Sequence, residues 1–158
     1  MDFDEFYLGC RDRVVLHIAA LIGDPAEALD HVQEAFVKAW TRWDRIADFD
    51  DPEAWVRRVA YHHAVSGWRR VRRLVLRSEP DPNVPYFDAD QRELFEALAQ
   101  LSAREREAVV LHHLVGYSVD EIATQLAAPS GTVKSWLSRG RAKLAAALST
   151  PEVADELR

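Results

Sequence analysis

The chain has 158 residues, with 20 Lys and Arg against 26 Asp and Glu, for a formal net charge of −6. A 48% hydrophobic composition excludes global disorder, and the lone Cys10 excludes an intrachain disulfide or a multi-cysteine zinc centre. No apolar run approaches the roughly 18 residues of a membrane span, and the acidic average argues against a nucleic-acid partner, which usually leaves a basic footprint.

Residues 1–5 are acidic and aromatic, unlike the cationic start of a signal peptide, so a cytoplasmic location is expected. Phe3, Phe6, Cys10, Val14, Ile18 and Leu21 recur at three or four residues and predict an amphipathic first helix. Asp24-Pro25, with Glu27 third in the helix, combines an N-cap, an N1 proline and a capping box. The helix it opens is expected to bury Leu29, Val32, Phe36, Ala39, Trp40 and Trp43. Its outward face would carry Asp30, Gln33, Glu34, Val37, Lys38 and Thr41, which periodicity alone reads as solvated surface. Asp51-Pro52 repeats the start signal for a third helix.

Pro80, Pro82 and Pro85 then forbid a continuing helix, so 78–90 reads as a linker. Leu94, Leu98 and Leu101 mark a short helix, followed by capping boxes at Ser102-Ala-Arg-Glu105 and Ser118-Val-Asp-Glu121. The second box opens a short helix with Ile122, Ala123 and Leu126 inward. A break at Ala128-Pro129-Ser130 precedes a last helix burying Val133, Leu137, Leu144 and Leu148. No segment alternates as a strand does. The expected fold is all-α, with two small helical domains at 1–77 and 91–149, the linker between them, and an acidic tail at 150–158.

Charge resolved along the chain reverses the first impression. Residues 54–77 hold seven Arg and no acid, and residues 130–147 hold Lys134, Arg139, Arg141 and Lys143 and no acid. The remainder has nine cations against all 26 acids. Two basic islands in an acidic body ask for a more local explanation than the mean.

The C-terminal island lies on the second of two short helices with helix-turn-helix proportions. Thr132, Lys134 and Ser135 sit in its N-terminal turn, where short polar and cationic groups reach bases and phosphates. Arg139, Arg141 and Lys143 follow at positions suited to backbone contacts. The competing reading is a helical hairpin with a solvated charged face. In the first island, helical angles group Trp55, Val56, Val59, Ala60 and His63 toward the core. Arg58, His62, Val65, Arg69 and Arg72 form an opposite stripe flanked by Arg57, Tyr61 and Trp68. Arginine forks with aromatic platforms suit unpaired bases, although Tyr61 and Trp68 could equally pack against another helix. Catalysis finds no support: His62-His63 and His112-His113 are adjacent and diverge by about 100° on a helix, and no nucleophile or phosphate-loop motif occurs. No metal or cofactor is expected.

The motifs resemble a known family. Asp24-Pro-Ala-Glu-Ala-Leu-Asp-His-Val-Gln-Glu-Ala-Phe-Val-Lys-Ala-Trp40 and Pro52-Glu-Ala-Trp-Val-Arg-Arg-Val-Ala60 look like region 2 of the extracytoplasmic-function sigma factors. Leu101-Ser-Ala-Arg-Glu-Arg-Glu-Ala-Val-Val-Leu111, Gly116-Tyr-Ser-Val-Asp-Glu-Ile-Ala123 and Gly131-Thr-Val-Lys-Ser135 with Arg139-Gly-Arg141 look like region 4. The wording around residues 56–70 is similar to an actinobacterial sigma-E-like branch. The resemblance implies a subunit that directs RNA polymerase to promoters. Asp30, Gln33, Glu34 and Lys38 would dock on the β′ clamp helices of core polymerase, and the C-terminal domain would meet the β flap. Arg58, Tyr61, His62, Val65, Trp68, Arg69, Arg72 and Arg73 would open and read a minus-10 element, with a flipped base held near residues 46–51. Thr132, Lys134, Ser135, Trp136, Arg139, Arg141 and Lys143 would read a minus-35 element in the major groove. The linker would cross the polymerase near the RNA exit path, and an anti-sigma factor would be a further partner. The chain departs from the family at His62, Ser66, Ala127, Ala128 and Trp136, where Asn, Asp, Gly, an apolar turn residue and Arg are common. Two other classes fit parts of the sequence: a stand-alone helix-turn-helix regulator, and an adaptor whose basic faces bind an acidic protein.

Overall fold

The computed structural model describes residues 1–71 and 82–148, with side chains as far as Ser66 in the first stretch. The chain divides into two compact units, residues 1–86 and 87–158. Every element in the described residues is helical, and none is long and apolar enough to cross a membrane.

The first unit is built on α1 (Phe3–Ile22), α2 (Pro25–Thr41), the single turn α3 (Trp43–Ile46) and α4 (Pro52–Val71). Its starts follow the local chemistry. The Asp2 carboxylate accepts from the Glu5 N–H at 2.8 Å, Asp24 accepts from Ala26 and Glu27 at 3.0 and 3.2 Å, and Asp51 accepts from Ala54 at 3.0 Å. Each satisfies donors that the helix itself leaves open. Gly23 ends α1 at φ 80°, which lets the chain reverse into α2 after two residues. The helices α1, α2 and α4 pack on one another around Val14, Val15, Ile18, Leu29, Val32, Val56 and Ala60. Phe3, Phe6, Phe36 and Trp43 close one end as an aromatic cluster, with Phe6 and Trp43 stacked at 4.8 Å.

The expected core faces of two helices shift. Trp40 is 65% exposed, because Leu29, Val32, Phe36 and Ala39 already complete the buried arc of α2 and Trp40 falls on its rim beside Val37. On α4 the fully buried residues are Val56, Ala60, Tyr61 and Ala64, while Trp55, Val59 and His63 are half-buried. The inward face is therefore rotated toward Tyr61 from the one that hydrophobicity alone suggests.

The second unit contains α5 (Ala89–Ala99), α6 (Ala103–Val109), a π-helical segment (Val110–Val115), α7 (Val119–Gln125) and α8 (Ser130–Ala147). Full capping boxes at Asp88, Ser102 and Ser118 start α5, α6 and α7. Against α8 pack α5, α6 and α7, over Leu98, Leu101, Val109, Ile122, Val133 and Leu137. Gly140 sits where α8 comes closest to α6: a Cβ there would lie 2.7 Å from Val109 Cγ2 and 3.3 Å from Leu101 Cδ2. The turn into α8 passes through Ala127 at φ 51°, a left-handed conformation that costs a non-glycine residue about 1–2 kcal/mol.

Candidate nucleic-acid interface

On α8, burial of Val133 and Leu137 turns the residues between them outward. Lys134 and Ser135 are exposed, Thr132 and Trp136 half-buried. No side chain caps the start of α8, whose N-cap residue is Pro129. An uncapped helix start behind Thr132 and Lys134 is a favourable position for an anionic oxygen. Trp136 lies under the Arg104 guanidinium of α6, 5.8 Å from ring centre to cation, so part of its surface is already covered within the unit.

The remaining cations of α8 are not free-standing. Glu105, on α6, receives Lys143 Nζ at 2.6 Å on one carboxylate oxygen and Arg139 Nε at 3.4 Å on the other. Arg141 donates its Nε–H to His113 Nε2 at 3.1 Å. The Lys143 hydrogen bond, helped by the Ser102 backbone N–H, holds the Glu105 carboxyl down at about 2, so it is ionised. Burial, with the neighbouring His112 and Arg141, keeps His113 below the usual imidazole range, consistent with a neutral acceptor. Sequence windows miss these partners because they lie 28–38 residues away. The one legible signal was Glu105 in its capping box, which gives its helix but not its second role.

The first island is similarly mixed. Arg57 pairs with Glu53 one turn earlier and with Asp51 at 3.7 Å, and Glu53 also binds Arg13 of α1. Glu53 stands one residue outside the acid-free stretch, so the island is less bare than its sequence. His62 and Val65 are exposed and Arg58 is half-buried. Tyr61 is fully buried, at 0% exposure, and its ring is no stacking platform for bases; the other choice open in the sequence, packing against a neighbouring helix, is the one realised. Trp68 and Arg69 belong to α4 but stand beyond its last described side chain, and Arg72 and Arg73 lie outside the described residues.

On α2 the outward face is continuous: Asp30, Gln33, Glu34, Val37, Lys38, Trp40 and Thr41 are all exposed. Gln33, Val37 and Trp40 border a groove shared with Phe3, Tyr7 and Phe36 of the aromatic end. Behind this face His31 and His63 join α2 to α4 through an Nδ1–Nδ1 contact of 2.7 Å, with Glu27 3.6 Å from His31 Nε2. The α2 face and α4 thus belong to one packed unit.

Comparison with known proteins matches residues 7–74 to sigma-70 region 2 and residues 91–144 to sigma-70 region 4. The RNA polymerase sigma-E factor of Streptomyces avermitilis is 33% identical over 149 residues, covering 91% of this chain and 83% of that protein. The chain belongs to the extracytoplasmic-function sigma factors. The family member SigL of Mycobacterium tuberculosis H37Rv is 35% identical over 127 residues, covering 74% of this sigma factor and 72% of the relative. Among solved structures, the sigma factor RpoE of Bartonella quintana in complex with the anti-sigma factor NepR superposes with a TM-score of 0.63 at 27% identity, over 93% of this chain and 96% of that one. Region 2 thus corresponds to the unit of α1–α4, and region 4 to the unit carrying α8.

Proposed function

We propose that this sigma factor binds core RNA polymerase through the exposed face of α2 and directs it to promoters through α4 and α8. The observation that carries the reading is α8. It buries Val133 and Leu137 and presents Thr132, Lys134 and Ser135 beside an uncapped helix start, as a helix entering the major groove must. Residues 91–149 would form the minus-35 domain and 1–77 the polymerase and minus-10 domain, with 78–90 as linker and 150–158 as tail.

Within the first domain, Asp30, Gln33, Glu34 and Lys38 would supply polar contacts to the β′ clamp helices, and the Val37–Trp40 rim an apolar anchor. Arg58, His62 and Val65 would face the minus-10 element, joined by Trp68, Arg69, Arg72 and Arg73. His62 and Ser66 stand where the family commonly has Asn and Asp, so minus-10 preference would differ from that of relatives carrying those residues. The second domain would meet the β flap. An anti-sigma factor would compete for these faces; the Bartonella RpoE is itself in complex with one, NepR. Promoter opening by base extrusion needs no covalent step, so no catalytic residue is assigned. The site of action would be the cytoplasm, where polymerase and promoter meet.

Reconstitution of the full chain with core polymerase tests this directly. Stable association and initiation at discrete start sites, preceded by two aligned sequence elements, are expected on genomic templates. Absence of both association and promoter-directed transcripts would overturn the reading.

A further inference from the structure

The island on α8 is unequally available. Of its four cations, Arg139 and Lys143 converge on one carboxylate, Arg141 is held by a neutral imidazole, and Lys134 has no ion pair among the described residues. Glu105 is an unusual acid for such a place. Its side chain is only 5% exposed, whereas those of Arg139 and Lys143 are 59% and 51% exposed. The carboxylate is inside the unit, yet both cations it binds keep more than half of their side-chain surface exposed. Because the two cations lie one turn apart, a single buried charge can hold both.

We propose that Glu105 is a specificity-determining residue: by neutralising Arg139 and Lys143 from behind, it limits the sequence-independent attraction of α8 for phosphate and leaves the charge of Lys134 dominant at the helix start. The inference rests on the reading of α8 as the DNA-facing helix. Counterion release makes it quantitative, since each cation that neutralises a phosphate contributes about 0.9 to the salt slope of duplex binding. A cation already paired with Glu105 contributes less, because engaging a phosphate would forfeit part of that pairing.

The test uses the full chain assembled on core polymerase, with a short random-sequence duplex as probe and affinity followed against salt. Glu105→Gln keeps an oxygen to accept the Ser102 N–H but removes the charge. It should bind the probe more tightly and steepen the log–log slope by up to about 1.8, the value for two released cations. An unchanged slope in a folded variant would overturn the proposal. Two further variants leave Glu105 in place and so do not depend on whether E105Q folds. Lys134→Ala should flatten the slope by about 0.9, and Lys143→Ala by clearly less. Equal losses would overturn the role of Glu105 while leaving α8 as the DNA helix. No change in either variant would overturn the α8 reading, and the inference with it.

Discussion

Gly140 shows how a single hydrogen atom in place of a methyl group decides a helix crossing. Glycine inside a helix ordinarily costs about 0.5–1 kcal/mol relative to alanine, so Gly140→Ala should help α8 taken alone. In the fold the new Cβ would stand 2.7 Å from a methyl of buried, β-branched Val109, which has little freedom to withdraw. The clash should outweigh the gain, with a net loss of about 1–2 kcal/mol in the region 4 unit. Urea unfolding followed through Trp136 would register it as a lower midpoint. His17 makes a second residue-scale prediction. Burial first, and then the nearby Arg57 charge, pushes its imidazole down to about 4, and its Nδ1 is enclosed with no hydrogen-bond partner among the described residues. The unfolded chain takes up a proton near pH 6.5 that the folded chain refuses until about 4. Stability is therefore complete above pH 6.5, erodes as pH falls through that interval, and stops changing below the folded value. Thermal melts between pH 7.5 and 4.5 should show this loss in the native chain and a shallower one in His17→Asn.

At the scale of elements, helix starts were the most legible feature, because a cap acts over three residues and leaves its signature in sequence. Asp24, Asp51, Ser102 and Ser118 all cap where their spacing indicates. Faces were less legible. The inward arc of α4 is set by how α1 and α2 meet it, and hydropathy cannot rank Tyr61 against Trp55 without those neighbours. The same limit applies to α2. Trp40 is its most hydrophobic-looking residue near the C-terminal end, yet the buried arc is full without it. An aromatic side chain 65% exposed beside Val37, at 56%, is the usual anatomy of a docking anchor rather than of a core. Trp40→Ala should leave the melting temperature nearly unchanged while weakening association with core polymerase at least tenfold. Fluorescence anisotropy of labelled chain titrated with core polymerase measures the second effect, and loss of stability instead would return Trp40 to a packing role.

At the scale of the molecule, the mean charge of −6 conceals a division of labour. The cations are concentrated in two stretches, and the structure shows that even these are partly held in check, by Glu53 on α4 and by Glu105 behind α8. Glu105 reaches its cations only because distant helices pack, and Glu53 stands just outside the acid-free stretch, so a window along the chain overstates the bare positive charge. An acidic body with restrained basic faces should bind duplex weakly alone, since long-range repulsion opposes encounter. In a gel shift at moderate salt, promoter duplex should remain free at concentrations of sigma factor that shift it completely once core polymerase is added. Tight binding without polymerase would instead favour a stand-alone regulator.

The π-helical segment at Val110–Val115 bears on how the domain accommodates a change in chain length. A turn of π-helix holds about one residue more than a turn of α-helix, and the surplus is absorbed just before Gly116 at φ 94°, with the His112 Nδ1–H closing onto the Tyr117 carbonyl at 2.9 Å. Removing one residue here would restore ordinary helical winding and leave Ser118 to cap α7 as before. A one-residue deletion within Val110–Val115 should therefore cost the domain less stability than one inside α6 or α8, which thermal melts of the variants would check.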